Sequence, residues 1–107
     1  MKKTIIGCVE TVVIGGKKHR ARIDTGARTS SIDRRLAKKL MLGPVLRKMK
    51  VKSSIGESFR PVIKTLVKIK NRKIKASLNL ADRTKMKYKI LIGRNVLRKN
   101  FLIDVTK

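Results

Sequence analysis

The chain has 107 residues, of which 30 are Lys or Arg and 6 are Asp or Glu, a formal net charge of +24. That length holds one small domain, and 41% hydrophobic residues are too many for a basic tail kept disordered by low hydrophobicity and high charge. No apolar run approaches the roughly 18 residues of a membrane-spanning helix, so the expectation is a small folded domain with no membrane partner.

Thr4 to Ile14 is rich in β-branched residues and closes on Gly15-Gly16, a dipeptide that supplies the positive φ angles of a tight hairpin turn. The return strand runs from Lys17 to Thr25. His19, Ala21 and Ile23 share one of its faces and Lys18, Arg20 and Arg22 the other, the period-two pattern of a half-buried strand. After a loop at Thr29-Ser30-Ser31, Asp33 can cap a short helix reaching about Met41, with Leu36, Ala37 and Leu40 at helical spacing and Gly43-Pro44 as its stop. Val45 to Ser54 and Ser58 to Ile69 read as the strands of a second, projecting hairpin around a tip at Ile55-Gly56-Glu57. A basic turn at Lys70 to Lys73 precedes a strand from Ile74 to Leu80, and Tyr88 to Ile92 is a further apolar strand ending at Gly93. Arg94 to Lys99 can form one or two helical turns, and Phe101 to Val105 is a last strand. Two segments echo each other, Ala21 to Gly26 and Lys89 to Arg94, each an apolar strand run into a glycine turn. With no linker, low-complexity tract or tandem repeat, residues 1–107 are expected to form a single domain.

Asp24 is the acidic residue placed where chemistry would want one, at the end of an apolar strand and followed by Thr25, Gly26 and Ala27. Gly26 lets the backbone turn sharply, so that neighbouring amides can hydrogen-bond the Asp24 carboxylate and hold it ionised. Thr25 adds a hydroxyl for a fixed contact. The tripeptide alone is also what a simple Asp-Gly turn requires.

The wider context is more specific. Ile23-Asp24-Thr25-Gly26-Ala27, a glycine-tipped hairpin, and Ile90-Leu91-Ile92-Gly93-Arg94-Asn95-Val96-Leu97 together resemble the retropepsin-like aspartic proteases, in that order along the chain. The resemblance is closest to a branch known as putative ATP-dependent zinc proteases, associated with ATP-grasp ligases that add glutamates to protein tails. It lies in Asp24-Thr25-Gly26-Ala27-Arg28-Thr29-Ser30 and in Leu80 to Tyr88, continuing through Leu91-Ile92-Gly93-Arg94-Asn95 to Phe101-Leu102-Ile103-Asp104, and covers nearly the whole chain. It implies an all-β acid-protease barrel with a flap hairpin and one or two short helices, assembled as a homodimer.

The chemistry asks for the same assembly. Peptide hydrolysis by this route needs two carboxylates on one water, and the chain offers one such Asp. A twofold homodimer, joined through the active-site loops and the terminal strands, would bring Asp24 of each subunit to the axis. Like charges that close share a proton, so one Asp24 would activate water while its twin protonates the carbonyl oxygen. The resemblance further implies that Thr25 locks the two loops across the axis, that Gly26 and Ala27 line the substrate backbone, that Ile55 and Gly56 form the flap tip, and that Gly93, Arg94 and Asn95 brace the loop from behind. Retropepsins commonly carry an acidic residue after Asp-Thr-Gly-Ala, but this chain has Arg28. With Arg28 in that place the usual intersubunit salt bridge and a retroviral-like specificity are not expected, and Arg28 could instead face a substrate carboxylate.

Cys8 is the single cysteine and His19 the single histidine, which excludes an intramolecular disulfide, fits a reducing cytoplasm, and leaves too few soft ligands for a structural zinc site. His19 and Asp24, five residues apart on one strand, project to opposite faces, and Cys8 is expected to be buried as a small hydrophobe. No cofactor or metal is therefore expected. A phosphate loop ending in Lys-Ser/Thr is absent from the sequence, so ATP binding is not expected either. The opening Met1 to Cys8 faintly resembles a lipoprotein signal, but its apolar stretch is shorter than the about 7 to 15 residues a signal needs.

The positive charge is spread along the whole chain, which suits an acidic or glutamate-extended peptide substrate and also predicts nonspecific binding to polyanions. Two alternatives remain beside the peptidase. One is a nucleic-acid or ribosome-binding β-barrel, against which stand only three aromatic residues, Phe59, Tyr88 and Phe101, with no stacking platform. The other is a non-catalytic peptide-binding module on a protease fold.

Overall fold

A computed structural model describes residues 2–53 and 56–107. Nine strands and two short helices follow in the order β1 (Thr4–Ile6), β2 (Val9–Ile14), β3 (Lys17–Ile23), β4 (Ser30–Asp33), α1 (Arg34–Lys39), β5 (Arg47–Ser53), β6 (Gly56–Ile69), β7 (Arg72–Ala81), β8 (Ile90–Ile92), α2 (Arg94–Leu97) and β9 (Phe101–Ile103). Seven strands form one sheet in the order β2-β3-β8-β4-β7-β6-β5, and pairing of Val12 with Ile69 and Val13 with Lys68 joins β2 to β6. The sheet thereby curls into a barrel, with β5 and the first half of β6 extending from it as a hairpin. Closure is what relieves a sheet of its unpaired edges.

The hydrophobic alternation explains the interior. Ile6, Val12, Ile14, Ala21, Ile23, Ile32, Ile63, Val67, Leu78, Ile90, Ile92 and Val96 belong to one buried cluster, closed at one end by Leu36 and Leu40 of the α1 region. Gly15 and Gly16, at φ of 60° and 75°, make the tight β2–β3 turn expected of that dipeptide. Asp33 caps α1 by accepting from the Arg35 and Leu36 amides at 3.2 and 3.4 Å, and the helix ends at Lys39, shortly before Gly43-Pro44.

Several local readings are corrected. Thr4 to Ile14 is two strands, because the chain leaves β1 at Gly7, whose amide donates to the Glu10 carboxylate at 2.7 Å, and resumes as β2 at Val9. Ser30-Ser31 is not loop: Ser30 to Asp33 form β4, buried at every position, parallel to β7 and antiparallel to β8. Cys8 is exposed instead of buried. Gly56 and Glu57 are not turn residues but the first of β6, paired with Ser53 and Lys52, while Ile55 lies outside the described residues. The turn expected over Lys70 to Lys73 is confined to Lys70 and Asn71, since β7 already begins at Arg72. The terminal strands β1 and β9 pair parallel with each other within the chain, Ile5 opposite Leu102. Among the described residues no helix is long and apolar enough to cross a membrane.

Candidate active site

Asp24 leaves the end of β3 where β8 holds the backbone still: its amide donates to the Ile92 carbonyl at 2.9 Å. The turn then folds back on the side chain. The Gly26 amide donates to Asp24 Oδ1 at 2.9 Å, and the Ala27 amide to the Asp24 carbonyl at 3.2 Å. Asp24 and Ala27 are half-buried, whereas Thr25, Gly26 and Arg28 are exposed. One carboxylate oxygen is thus fixed by a backbone donor while the group as a whole stays open to solvent.

The turn after β8 clamps this loop from behind. Arg94 and Asn95 amides donate to the carbonyls of Ala27 and Arg28 at 2.8 and 3.2 Å, and the Arg94 guanidinium donates to the Thr25 carbonyl at 2.9 Å. Gly93 is the point of closest approach. A Cβ there would lie 2.3 Å from the Thr29 carbonyl oxygen and 2.7 Å from that of Ala27, so only glycine lets the two loops meet. The Gly93 amide donates to Ser30 Oγ at 2.9 Å, and Ser30 in turn donates to Asn95 Oδ1 at 2.7 Å. The structure therefore gathers Asp24, Thr25, Gly26, Ala27, Arg28, Gly93, Arg94 and Asn95 into one pair of interlocked loops. Gly56 stands apart from them at the start of β6 in the projecting hairpin.

Side-chain parity shows which residues share a face of the sheet with Asp24. Strand pairing places Arg22, Leu91, Ser31, Asn79, Val62 and Arg47 in one row across the sheet. This row lies on the face opposite the Ile23 and Ile92 core positions, and Asp24 continues the Arg22 parity. Asn79 organises the middle of the row. Only 2% exposed, it donates to Thr29 Oγ1 and the Ser30 carbonyl and accepts from Ser31 Oγ and from Arg60 Nη1. Beyond it, Arg83 follows Ala81 by two residues. Burial is the main influence holding the Arg83 pKa below its ordinary value, and the neighbouring charges of Arg22 and Arg60 add to it; Asp33 and Asp24 act in the opposite sense. Arg60 is tied to this row by its hydrogen bond to Asn79 Oδ1 at 3.3 Å. A cavity of about 300 Å³ opens farther along, between the hairpin and α2, with Asn79 and Asn95 among its lining residues and Arg47, Lys64, Lys75 and Lys99 around it.

Sequence reasoning missed Asn79, Arg60 and Arg83. Arg22 is read in the sequence only as part of the charged strand face with Lys18 and Arg20, with no role at the site. Arg60 and Arg83 are brought in by long-range pairing, for which a chain this rich in arginine gives no local signal. The structure also bears on zinc. Exposed Cys8 has its Sγ against the Val105 carbonyl at 3.8 Å, whereas His19 presents a buried, unpartnered Nε2 on the other face of β3 from Arg22. Among the described residues no three His, Cys, Asp or Glu side chains gather as metal ligands, so these residues do not fit a zinc centre.

The profile of the RimB-like family, described as retropepsin-like aspartic endopeptidase RimB, matches residues 33–107. The match takes in the projecting hairpin and the Gly93-Arg94-Asn95 turn, and begins after Asp24-Thr25-Gly26. No curated protein matches the chain. Among solved structures, a Legionella pneumophila protein of unknown function superposes with a TM-score of 0.70 at 19% identity, covering 97% of this chain and 95% of its own. The simian foamy virus protease superposes with a TM-score of 0.66 at 21% identity, covering 84% of this chain and 91% of its own. At these identities the two likenesses show a shared fold.

Proposed function

The chain belongs to the RimB-like family of retropepsin-like aspartic endopeptidases, and from that premise we propose that it hydrolyses peptide bonds as a homodimer, with Asp24 of each subunit acting on one water. The observation that carries the reading is the setting of Asp24. Its carboxylate is held by the Gly26 amide at 2.9 Å and open to solvent, on a loop clamped from behind by Gly93, Arg94 and Asn95. A rigid loop of this kind supports catalysis because a reacting group must be held within fractions of an ångström of its working position.

In the dimer the two Asp24 side chains share one proton, because two adjacent carboxylates resist ionising together. The ionised member takes a proton from the water as it attacks the peptide carbonyl. The protonated member donates to the carbonyl oxygen, and a proton then passes to the leaving nitrogen. Thr25 links the loops across the axis, Gly26 and Ala27 hold the substrate backbone, and the projecting hairpin that β6 enters at Gly56 covers it. Acidic peptides, including glutamate-extended ones, suit the +24 charge, and their capture weakens as salt is raised.

The test compares the natural chain with Asp24→Asn on an unbiased peptide library and on glutamate-extended peptides, across pH and salt. Cleavage by the natural chain, with a fall of at least about a thousandfold in Asp24→Asn and no change in fold, is expected from loss of both the base and the acid. Undiminished cleavage by the variant would sink the mechanism. No cleavage by a verified dimer at any pH would leave a peptide-binding module on this fold.

A further inference from the structure

The cavity of about 300 Å³ between the projecting hairpin and α2 stands on one face of three paired strands. Register sets its walls. Arg47 of β5 lies opposite Val62 of β6, which lies opposite Asn79 of β7; one row along the same face Lys64 is opposite Ser77, and Lys75 follows in the next row. Neighbouring strands are about 4.8 Å apart and rows on one face about 6.7 Å, so Lys64 has Arg47 on one side and Lys75 on the other, each about 8 Å away at the backbone and within the span of these side chains. Lys99, just after α2, adds a fourth cation to the lining.

Nothing nearby neutralises these charges. No Asp or Glu among the described residues lines the cavity. None of the four cationic side chains takes part in an ion pair or a hydrogen bond among the described residues.

The floor adds donors and withholds acceptors. Asn79 spends its amide hydrogens on Thr29 Oγ1 and the Ser30 carbonyl, and its oxygen on Ser31 Oγ and Arg60 Nη1. Asn95 donates to the Ser77 carbonyl at 3.0 Å and accepts from Ser30 Oγ at 2.7 Å. Both amide oxygens are therefore occupied. The hydroxyls of Thr29 and Ser77, which also line the cavity, donate to no acceptor among the described residues. Four unpaired cations and two unspent hydroxyl donors, on strands fixed in advance by their pairing, complement an oxyanion.

Charge and size narrow the class. A carboxylate brings one charge and two oxygens, whereas a phosphate monoester brings close to two charges and three strong acceptor oxygens that several donors can share. The volume of about 300 Å³ is at the lower end of small-molecule sites, and Met49, Val62 and Ala76 give it an apolar wall for a compact organic part.

We propose that this cavity binds the phosphate group of a small phosphorylated molecule, held by Arg47, Lys64, Lys75 and Lys99 together with the Thr29 and Ser77 hydroxyls. The proposal goes beyond the peptidase reading and does not depend on it, since the ligand is a second, non-peptide molecule.

The test is a titration of the full chain followed by amide NMR shifts, which report both affinity and place, at about 0.15 M salt so that general attraction is screened. The probes are inorganic phosphate, ribose 5-phosphate and a tetraglutamate peptide. The proteins are the natural chain, Lys64→Gln, Lys75→Gln, Ser77→Ala and a charge-matched control, Lys17→Gln, at the β2–β3 turn; all three lysines are exposed, so their replacement leaves the fold intact. Ribose 5-phosphate is expected to shift the Thr29 and Ser77 amides. Lys64→Gln and Lys75→Gln should each weaken it by at least about fivefold, and Ser77→Ala, which alters no charge, by about threefold, while Lys17→Gln stays within about twofold. Tighter binding of ribose 5-phosphate than of inorganic phosphate assigns the site to a phosphorylated organic molecule, and equal or tighter binding of inorganic phosphate assigns it to the free anion. Absence of shifts at Thr29 and Ser77 with either phosphate, or an equal loss in Lys17→Gln, overturns the proposal. So does tetraglutamate binding there more tightly than both phosphates, which would make the cavity part of the peptide site.

Discussion

Gly93 shows how one missing side chain determines the geometry of a site at Asp24, 69 positions earlier in the sequence. Its Cα sits so close to the 27–29 backbone that an added Cβ would fall 2.3 Å from the Thr29 carbonyl oxygen. The atoms it would strike are backbone atoms clamped by the Arg94 and Asn95 amides, so they have little room to retreat. Gly93→Ala is expected to lower stability by about 3 kcal/mol or more, the upper range of overpacking penalties, read as a fall in the urea midpoint. Cleavage should fall more steeply than the folded fraction, because the displaced loop carries Asp24. A loss below about 1 kcal/mol would mean that the two loops separate readily. Asn79 makes a related point with the opposite chemistry: it is buried because every polar atom of its side chain has a partner.

At the scale of elements, Asp33 joins three of them. It is the last residue of β4, the cap of α1, and the acceptor for the Arg83 amide that starts the loop into β8. Asp33→Ala removes a helix cap, typically about 1 kcal/mol, and leaves a buried amide unpaired, about 1 to 3 kcal/mol. A loss of about 2 to 4 kcal/mol in denaturant unfolding is therefore expected, with faster amide exchange at Leu36 and Arg83 together. Asp33→Asn should lie in between, since its single carbonyl oxygen cannot serve both ends. This cap was legible in the sequence, yet β4 before it was not. A Ser-Ser-Ile-Asp run has no alternation to read, and its serines are tolerated in the interior only because Asn79, Asn95 and Gly93 bond them. The β1–β2 break at Gly7 was hidden for the complementary reason: β-branched residues favour extended chain on both sides of it and carry no record of which partner each half will pair with.

For the whole molecule, one Asp24 per chain makes any two-carboxylate mechanism a matter of assembly. The β1–β9 pair is the natural place to look, because it offers apolar side chains that its own chain does not cover. Ile5 and Leu102, opposite one another, are 48% and 49% exposed, and Val105 beside them is 77% exposed. If subunits associate through these terminal strands, Leu102→Asp is expected to raise the dimer dissociation constant by at least about tenfold, measured by sedimentation equilibrium. Specific activity should then fall on dilution sooner than in the natural chain. A variant that stays dimeric would place the contact elsewhere, with the active-site loops as the remaining surface.

The sequence by itself determined the barrel's apolar alternation, the glycine hairpin, the capped helix, and the pair of glycine turns in which Asp24 and Gly93-Arg94-Asn95 stand. These are local properties, since side-chain period, turn angles and capping depend on residues a few positions apart. Only the tertiary structure decided that Ser30 to Asp33 is a central strand, that Cys8 is exposed, and that Arg60 reaches Asn79 and the Arg83 amide reaches Asp33. Each of those is settled by which strands pair and in what register, and register is a long-range choice made by the burial of the whole core.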